Sequence, residues 1–343
     1  MLIPSRAYLD FREAFRRGDG DAVLSTGQLV LDQLGTDERQ SGLVPAVLLM
    51  VGATLARLER FADATAYLER GLALLPGTAA TREVGDGDWY ELLLLDLLMA
   101  VGRFRDSWNR IQSLIEPDRE ARTRLGATRA QIALYAAFGD FETAQQLLNT
   151  AAGLADRVGS HQLAAMVDGD RAIVLAAQGR TVEAAVFADQ VLPQLGRPGS
   201  GPLMRWSGAA AATVTTTVAR HAAVAGDLMT AERMLFLAAE PAAGTGRTFD
   251  LAQLQLARGV VWREGGRTLD AEQPLLDARH GFLALGCAPA AALAQREEAR
   301  LALLKGMSAS SRPLYERARE EFALLGLTRE VMAIDAVLRT APA

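Results

Sequence analysis

The chain has 343 residues, half of them hydrophobic, with 36 basic and 41 acidic side chains and a net charge of −5. There is no basic excess to point to nucleic acid or an anionic membrane as a partner. Cys287 is the only cysteine, which excludes a disulfide framework and a thiolate metal cluster. The basic residues are almost all arginine, with Lys305 the lone lysine, a bias of the kind a GC-rich genome produces.

In chain order, residues 1–35 read as an N-terminal capping hairpin. Ala7–Arg17 is amphipathic, Gly18–Asp21 is a turn, and Ala22–Leu34 is a second helix. The opening residues carry no apolar leader followed by a cleavage site, and the longest apolar segments, Leu92–Val101 and Trp206–Ala219, are too short to span a bilayer. A soluble, cytoplasmic protein is therefore expected. Ser41–Leu75 is the first full repeat, closed by Pro76-Gly77. Asp88 then stands where it can cap a helix over Trp89–Val101. Two repeats run on to Leu154, and Ser160–Leu195 forms another. Gly196–Pro202 is rich in glycine and proline and reads as a loop or as a hinge between a first half, 41–195, and a second half, 202–325. A long helix over Pro202–Ala225, a turn at Gly244–Gly246 and two further repeats reach Leu325. Thr328–Arg339 is a solitary capping helix. Nothing reads as a strand, so the expectation is one all-α domain across 1–343.

The repeats share a frame, clearest in Phe138-Gly-Asp-Phe-Glu-Thr-Ala144. A turn residue stands five positions before a small anchor, a large apolar residue follows four later, and a second small residue three after that. Ala144, Leu148 and Ala151 thus form one stripe of a helix. The turn residues are Glu59, Gly102, Gly139, Gly179, Gly226, Gly266 and Gly306. The anchors are Ala64, Ser107, Ala144, Ala184, Ala231, Ala271 and Ser311, spaced by 37 to 47 residues. A period in this range is that of a helical solenoid.

This pattern resembles the second half of a tetratricopeptide repeat, and its longer period resembles the MalT-like variety found in large bacterial transcription regulators. The resemblance covers roughly Val44–Arg339. It implies a right-handed superhelix of seven to eight antiparallel hairpins, with the first helix of each lining a concave face. It implies binding of a protein or peptide there, as an adaptor or regulatory scaffold. The matched positions are all packing positions, and no nucleotide or DNA-binding domain accompanies them, so a complete regulator of that type is not expected.

No catalytic constellation stands out. Gly196–Gly201 lacks the Gly-Lys-Ser/Thr ending of a phosphate loop, and Gly18-Asp-Gly20 lacks the third glycine of a dinucleotide site. His161, His221 and His280 are isolated, so no metal site or cofactor is expected. Cys287 reads as a buried thiol. Extending the helical period onto the concave face selects Trp89, Asp96, Arg129, Thr213, Thr216, Arg220, His221, Gln253, Arg263, Arg296 and Arg300 as candidate groove residues. Asp96, inside an unbroken run of leucines, requires either a groove or an arginine partner such as Arg129. The arginines form either a groove for carboxylates or an ordinary solvated face. Trp89, Trp206 and Trp262 are either partner anchors or packing residues. Two function classes follow: a non-enzymatic binding module, or a small-molecule receptor or atypical enzyme with a pocket inside the superhelix. Self-association as a homodimer fits either.

Overall fold

A computed structural model of the chain describes residues 6–34, 43–75, 87–195 and 206–340. Among these are seventeen helices and no strand: α1 (Arg6–Arg17), α2 (Gly20–Leu34), α3 (Val44–Arg57), α4 (Phe61–Leu74), α5 (Asp88–Val101), α6 (Phe104–Leu114), α7 (Ala121–Phe138), α8 (Phe141–Val158), α9 (His161–Ala177), α10 (Thr181–Leu195), α11 (Trp206–Val224), α12 (Leu228–Thr245), α13 (Thr248–Glu264), α14 (Glu272–Ala284), α15 (Ala288–Leu304), α16 (Ser308–Leu324) and α17 (Thr328–Thr340). Where the expected helix ends fall among the described residues, as for Ala7–Arg17, Trp89–Val101 and Thr328–Arg339, they lie within a residue or so of those observed. Gly196–Pro202, read as a loop or hinge, lies outside the described residues, as do Pro76-Gly77.

The turn of the frame has one chemical cause. Gly139 ends α7 with φ +82°, its N–H bonded to the Ala136 carbonyl, and the Asp140 N–H bonds to the Tyr135 carbonyl. This pair of bonds satisfies the last carbonyls of the helix and requires a left-handed residue at its end. Asp140 then starts α8 by accepting the Thr143 N–H at 3.1 Å. Two residues therefore close one helix and open the next. The same pair of bonds recurs at every turn of the frame from Gly179 to Gly306, and also at Glu59, a non-glycine residue held at φ +59°. Glu59 confirms that the backbone shape of the repeat, and not glycine as such, is what recurs.

All seven anchors are buried. The small side chains let the two helices of each hairpin approach closely, and the large residue four later fills the space beside them. Where that residue is Leu275, even a methyl group on the facing Gly259 would lie 2.5 Å from it.

The residues form two compact units, Met1–Val101 with Arg105–Arg110, and Gly102–Phe104 with Ile111–Ala343. In the first, α1 packs on α2, α3 on α4, and α4 on α5. Tyr8, Phe11, Leu48, Leu49, Leu94 and Leu95 are fully buried. The Ser107 hydroxyl donates to the Leu95 carbonyl at 3.4 Å, and Arg110 pairs with Glu91 at 2.8 Å.

In the second unit the hairpins α7–α8, α9–α10, α11–α12, α13–α14 and α15–α16 stack in order, and α17 packs on α16. First helices also pack on first helices, α9 on α11 and α11 on α13. The helices on either side of Gly196–Pro202 thus lie in direct contact within one unit. A core of Leu125, Ile132, Leu148, Leu154, Val167 and Val174 joins α7, α8 and α9. The array comes round on itself: Arg329, at the start of α17, lies against Gly139 and stacks its guanidinium 4.9 Å from the Phe141 ring.

Candidate functional site

The first helices of the second unit bring four arginines together with three carboxylates. Arg263, on α13, is fully buried and donates to Glu297 of α15 at 2.5 Å and to its neighbour Glu264 at 2.7 Å. Arg296 embraces the other oxygen of Glu297 through Nε (2.9 Å) and Nη2 (2.5 Å), and its Nη1 reaches Glu330 of α17. Arg300, one turn on from Arg296, reaches Glu264 at 3.1 Å. Arg220 of α11 lies within electrostatic range of Arg296, Glu297 and Glu330. Among the described residues it has no hydrogen bond or ion pair.

Burial alone would raise the pKa of Glu297, but Arg296 and Arg263 more than offset it and hold it well below the usual carboxylate range. For Arg296, burial is likewise outweighed, here by Glu297 and Glu330, and the guanidinium is held firmly protonated. For Arg220, burial is the largest influence and lowers the pKa to about 10; Glu297 and Glu330 raise it and Arg296 lowers it, and together they do not make up for the burial. His221 is pushed down to about 3 by burial, then by Arg220 and Arg296, and so is a neutral imidazole at pH 7. Four guanidinium groups against three carboxylates leave one positive charge in excess, on the inner face beside Arg220.

His221 carries a pH prediction. Its folded pKa lies below the ordinary value of about 6.5, so its contribution to stability is complete above pH 6.5 and is lost as pH falls towards 3. Unfolding midpoints measured between pH 7 and 5 should fall for the wild type. The part due to His221, with a slope of at most about 1.4 kcal/mol per pH unit, should vanish in His221→Asn. Glu297 acts below about pH 4.5, outside this window. Asp170, raised because burial outweighs Arg129, acts with the opposite sign but is common to both proteins. Identical pH profiles would show the imidazole to be solvated.

Of the eleven candidate residues, the structure gathers Arg220, His221, Arg263, Arg296 and Arg300 around one centre. Arg129 is elsewhere on the inner helices, clamped by Asp170 of α9 through Nε (2.6 Å) and Nη2 (3.1 Å). Thr216 is buried and donates its hydroxyl to the Ala212 carbonyl at 2.7 Å, while Thr213 and Gln253 are half-buried. Trp89 and Asp96 belong to the first unit. Trp89 meets Tyr90 edge to face at 4.7 Å. Asp96 is exposed, while Leu93–Leu95, Leu97 and Leu98 are buried around it, so its carboxylate is not held in apolar surroundings. A helix distributes a leucine run around its circumference, so the residue in the middle of the run faces water. Trp262 is half-buried with Arg258 and Arg267 over its ring at 5.6 and 4.5 Å, a local packing role; the Trp206 side chain lies outside the described residues. Cys287 is buried, as expected.

The carboxylates Asp170, Glu264, Glu297 and Glu330 were not among the candidates. A signal existed: Glu297 follows Arg263 by 34 residues, Glu330 follows Arg296 by 34, and Asp170 follows Arg129 by 41. Each is an opposite charge about one repeat later on the same helix face.

These features define a tetratricopeptide-type helical repeat fold. No protein-family profile and no curated protein sequence matches the chain. Among solved structures, the chain is similar to a Rap protein complexed with competence and sporulation factor, at 12% identity and a TM-score of 0.50, covering 96% of both chains. It is also similar to a tetratricopeptide repeat protein from Parabacteroides merdae ATCC 43184 (12% identity, TM-score 0.44, 84% of this chain and 99% of that one). Yeast Tom70 is aligned over 95% of this chain and 87% of its own, at 12% identity and a TM-score of 0.20. At such identity the first of these bears on the fold alone. The repeat class is matched, not the MalT-like variety in particular. No helix among the described residues is long and apolar enough to cross a membrane.

Proposed function

We propose that this chain is a non-enzymatic binding protein whose second unit takes a protein or peptide partner on its inner face, through an acidic group on that partner. The observation that carries this reading is Arg220. It is a half-buried guanidinium with no ion pair among the described residues, while Arg263, Arg296 and Arg300 beside it each hold a carboxylate. Such a group gains from an incoming carboxylate, since charge-assisted hydrogen bonds contribute about 1.5–3 kcal/mol. A protein of similar fold, complexed with a factor, supports binding of a protein or peptide partner. A scaffold or adaptor role follows from a binding surface without catalytic groups.

The test uses a library of free peptides sorted by charge, measured by fluorescence anisotropy against the full chain. Acidic peptides should bind and basic ones should not. Arg220→Ala should weaken the acidic set about tenfold or more while leaving the helical circular dichroism unchanged. Equal binding by wild type and Arg220→Ala would move the interaction away from this face. Native mass spectrometry of the protein purified from its own cells supplies the physiological partner.

A further inference from the structure

Beside the charged centre, the inner face opens into a cavity of about 460 Å³ between α11, α15, α16 and α17. Its walls are Val224, Leu303, Leu304, Ile334 and Val337, with Tyr315 at its side and Arg296 and Arg300 at one end. The order of residues along the helices explains this polarity. On α11, Arg220 precedes Val224 by one turn. On α15, Arg296 and Arg300 precede Leu303 and Leu304, and on α17, Glu330 precedes Ile334 and Val337. Each helix passes from charged to apolar in the same sense, so the guanidinium groups collect at one end and the aliphatic side chains at the other.

The apolar end is wet. Val224 is 48% exposed and Leu304 58% exposed, and both line this half-open concave surface. The charged end is short of anions. Arg300 is 40% exposed on its side chain and is held by one 3.1 Å contact to Glu264, a carboxylate it shares with Arg263. A cavity of this volume is in the range that holds small ligands.

We infer that this pocket binds a small amphiphilic carboxylate, an unbranched acyl chain ending in a single carboxyl group. The acyl chain lies along Leu303, Leu304, Ile334 and Val337, and the carboxylate meets Arg300 at the charged end. Arg300, the more exposed of the two guanidinium groups lining that end, selects an anion over a neutral or cationic head. The one-sided placement of the arginines selects a molecule with one charged end. This site is separate in its logic from the partner-binding face, because it depends on the aliphatic walls and not on Arg220 alone.

The experiment is isothermal titration calorimetry of the full chain with straight-chain carboxylates from hexanoate to dodecanoate, kept below micelle formation. Affinity should rise about fourfold per added methylene and then level off when the pocket is full. Decanol should bind about tenfold more weakly than decanoate, and Arg300→Gln should remove that difference. Leu304→Asp, a change at an exposed position, should abolish the dependence on chain length. Three outcomes would overturn the assignment. These are the absence of saturable heat at millimolar decanoate, equal binding of decanol and decanoate, and displacement of decanoate by a more tightly bound peptide ending in leucine. The last would reassign the pocket to a chain terminus.

Discussion

Replacing Glu297 with alanine is expected to lower the unfolding free energy of the second unit by about 3–5 kcal/mol. The side chain is nearly inaccessible, and both of its oxygens are occupied, one by Arg263 and the other by Arg296. Removing it strands the fully buried guanidinium of Arg263, whose Nε already has no hydrogen-bond partner, with Glu264 as its remaining carboxylate. The loss therefore measures an uncompensated buried charge more than the pair itself. The double replacement Arg263→Met with Glu297→Leu removes both charges and keeps apolar volume, and should recover most of the stability. Arg296 retains Glu330 in that variant. Urea denaturation followed by circular dichroism reads both. A loss below about 1 kcal/mol in Glu297→Ala would show that water reaches the pair, as in exposed ion pairs.

The second large effect lies at the anchors. Ala144→Leu and Ala184→Leu should each destabilise the protein by about 1–3 kcal/mol through overpacking. Both alanines are fully buried at the crossing of a hairpin, and Ala144 lies in the core with Leu125, Ile132 and Leu148. A leucine there has to push two helices apart or leave its rotamer. The same substitution at Ala133, exposed on α7, should change stability by less than about 0.5 kcal/mol. Thermal midpoints of the three variants separate the anchor positions from a general intolerance of bulk. An unchanged midpoint for both anchor variants would mean that the hairpin register is misassigned.

The anchors were legible because each does a local job. A small residue at a fixed distance after a left-handed turn is required wherever two consecutive helices fold back on one another, and so the requirement is repeated in the sequence at each hairpin. Even the departure at Glu59 was readable, since its place in the frame predicted a turn that the backbone then adopts. Asp96 shows what a run of residues leaves open: neighbours in a sequence run are not neighbours around a helix, so a carboxylate among leucines reaches the surface. Thr216 departs from a groove role, its hydroxyl bound to its own helix, as threonine in a helix readily does.

The charged centre was half legible. Its arginines fall on the helix stripe that faces inward, so Arg220, Arg263, Arg296 and Arg300 could be named in advance. Their partners could not be chosen among many acidic residues until the repeats were stacked, because the pairing depends on how far each helix slides past the next. Arg263 meets Glu297 across one repeat, whereas Arg129 needs a longer step to reach Asp170.

By itself, then, the amino-acid sequence determined the repeat, its turns and its small-residue contacts, because these arise from hydrogen bonds and side-chain volumes within some forty residues. The tertiary structure decided which charges cancel. It placed α17 so that Glu330 neutralises Arg296, gave Arg220 no carboxylate of its own among the described residues, and set aliphatic side chains from α11, α15 and α17 around one cavity. Electrostatic pairing and cavity shape depend on distances of a few ångströms between residues far apart in the chain, and only the packed array sets those distances.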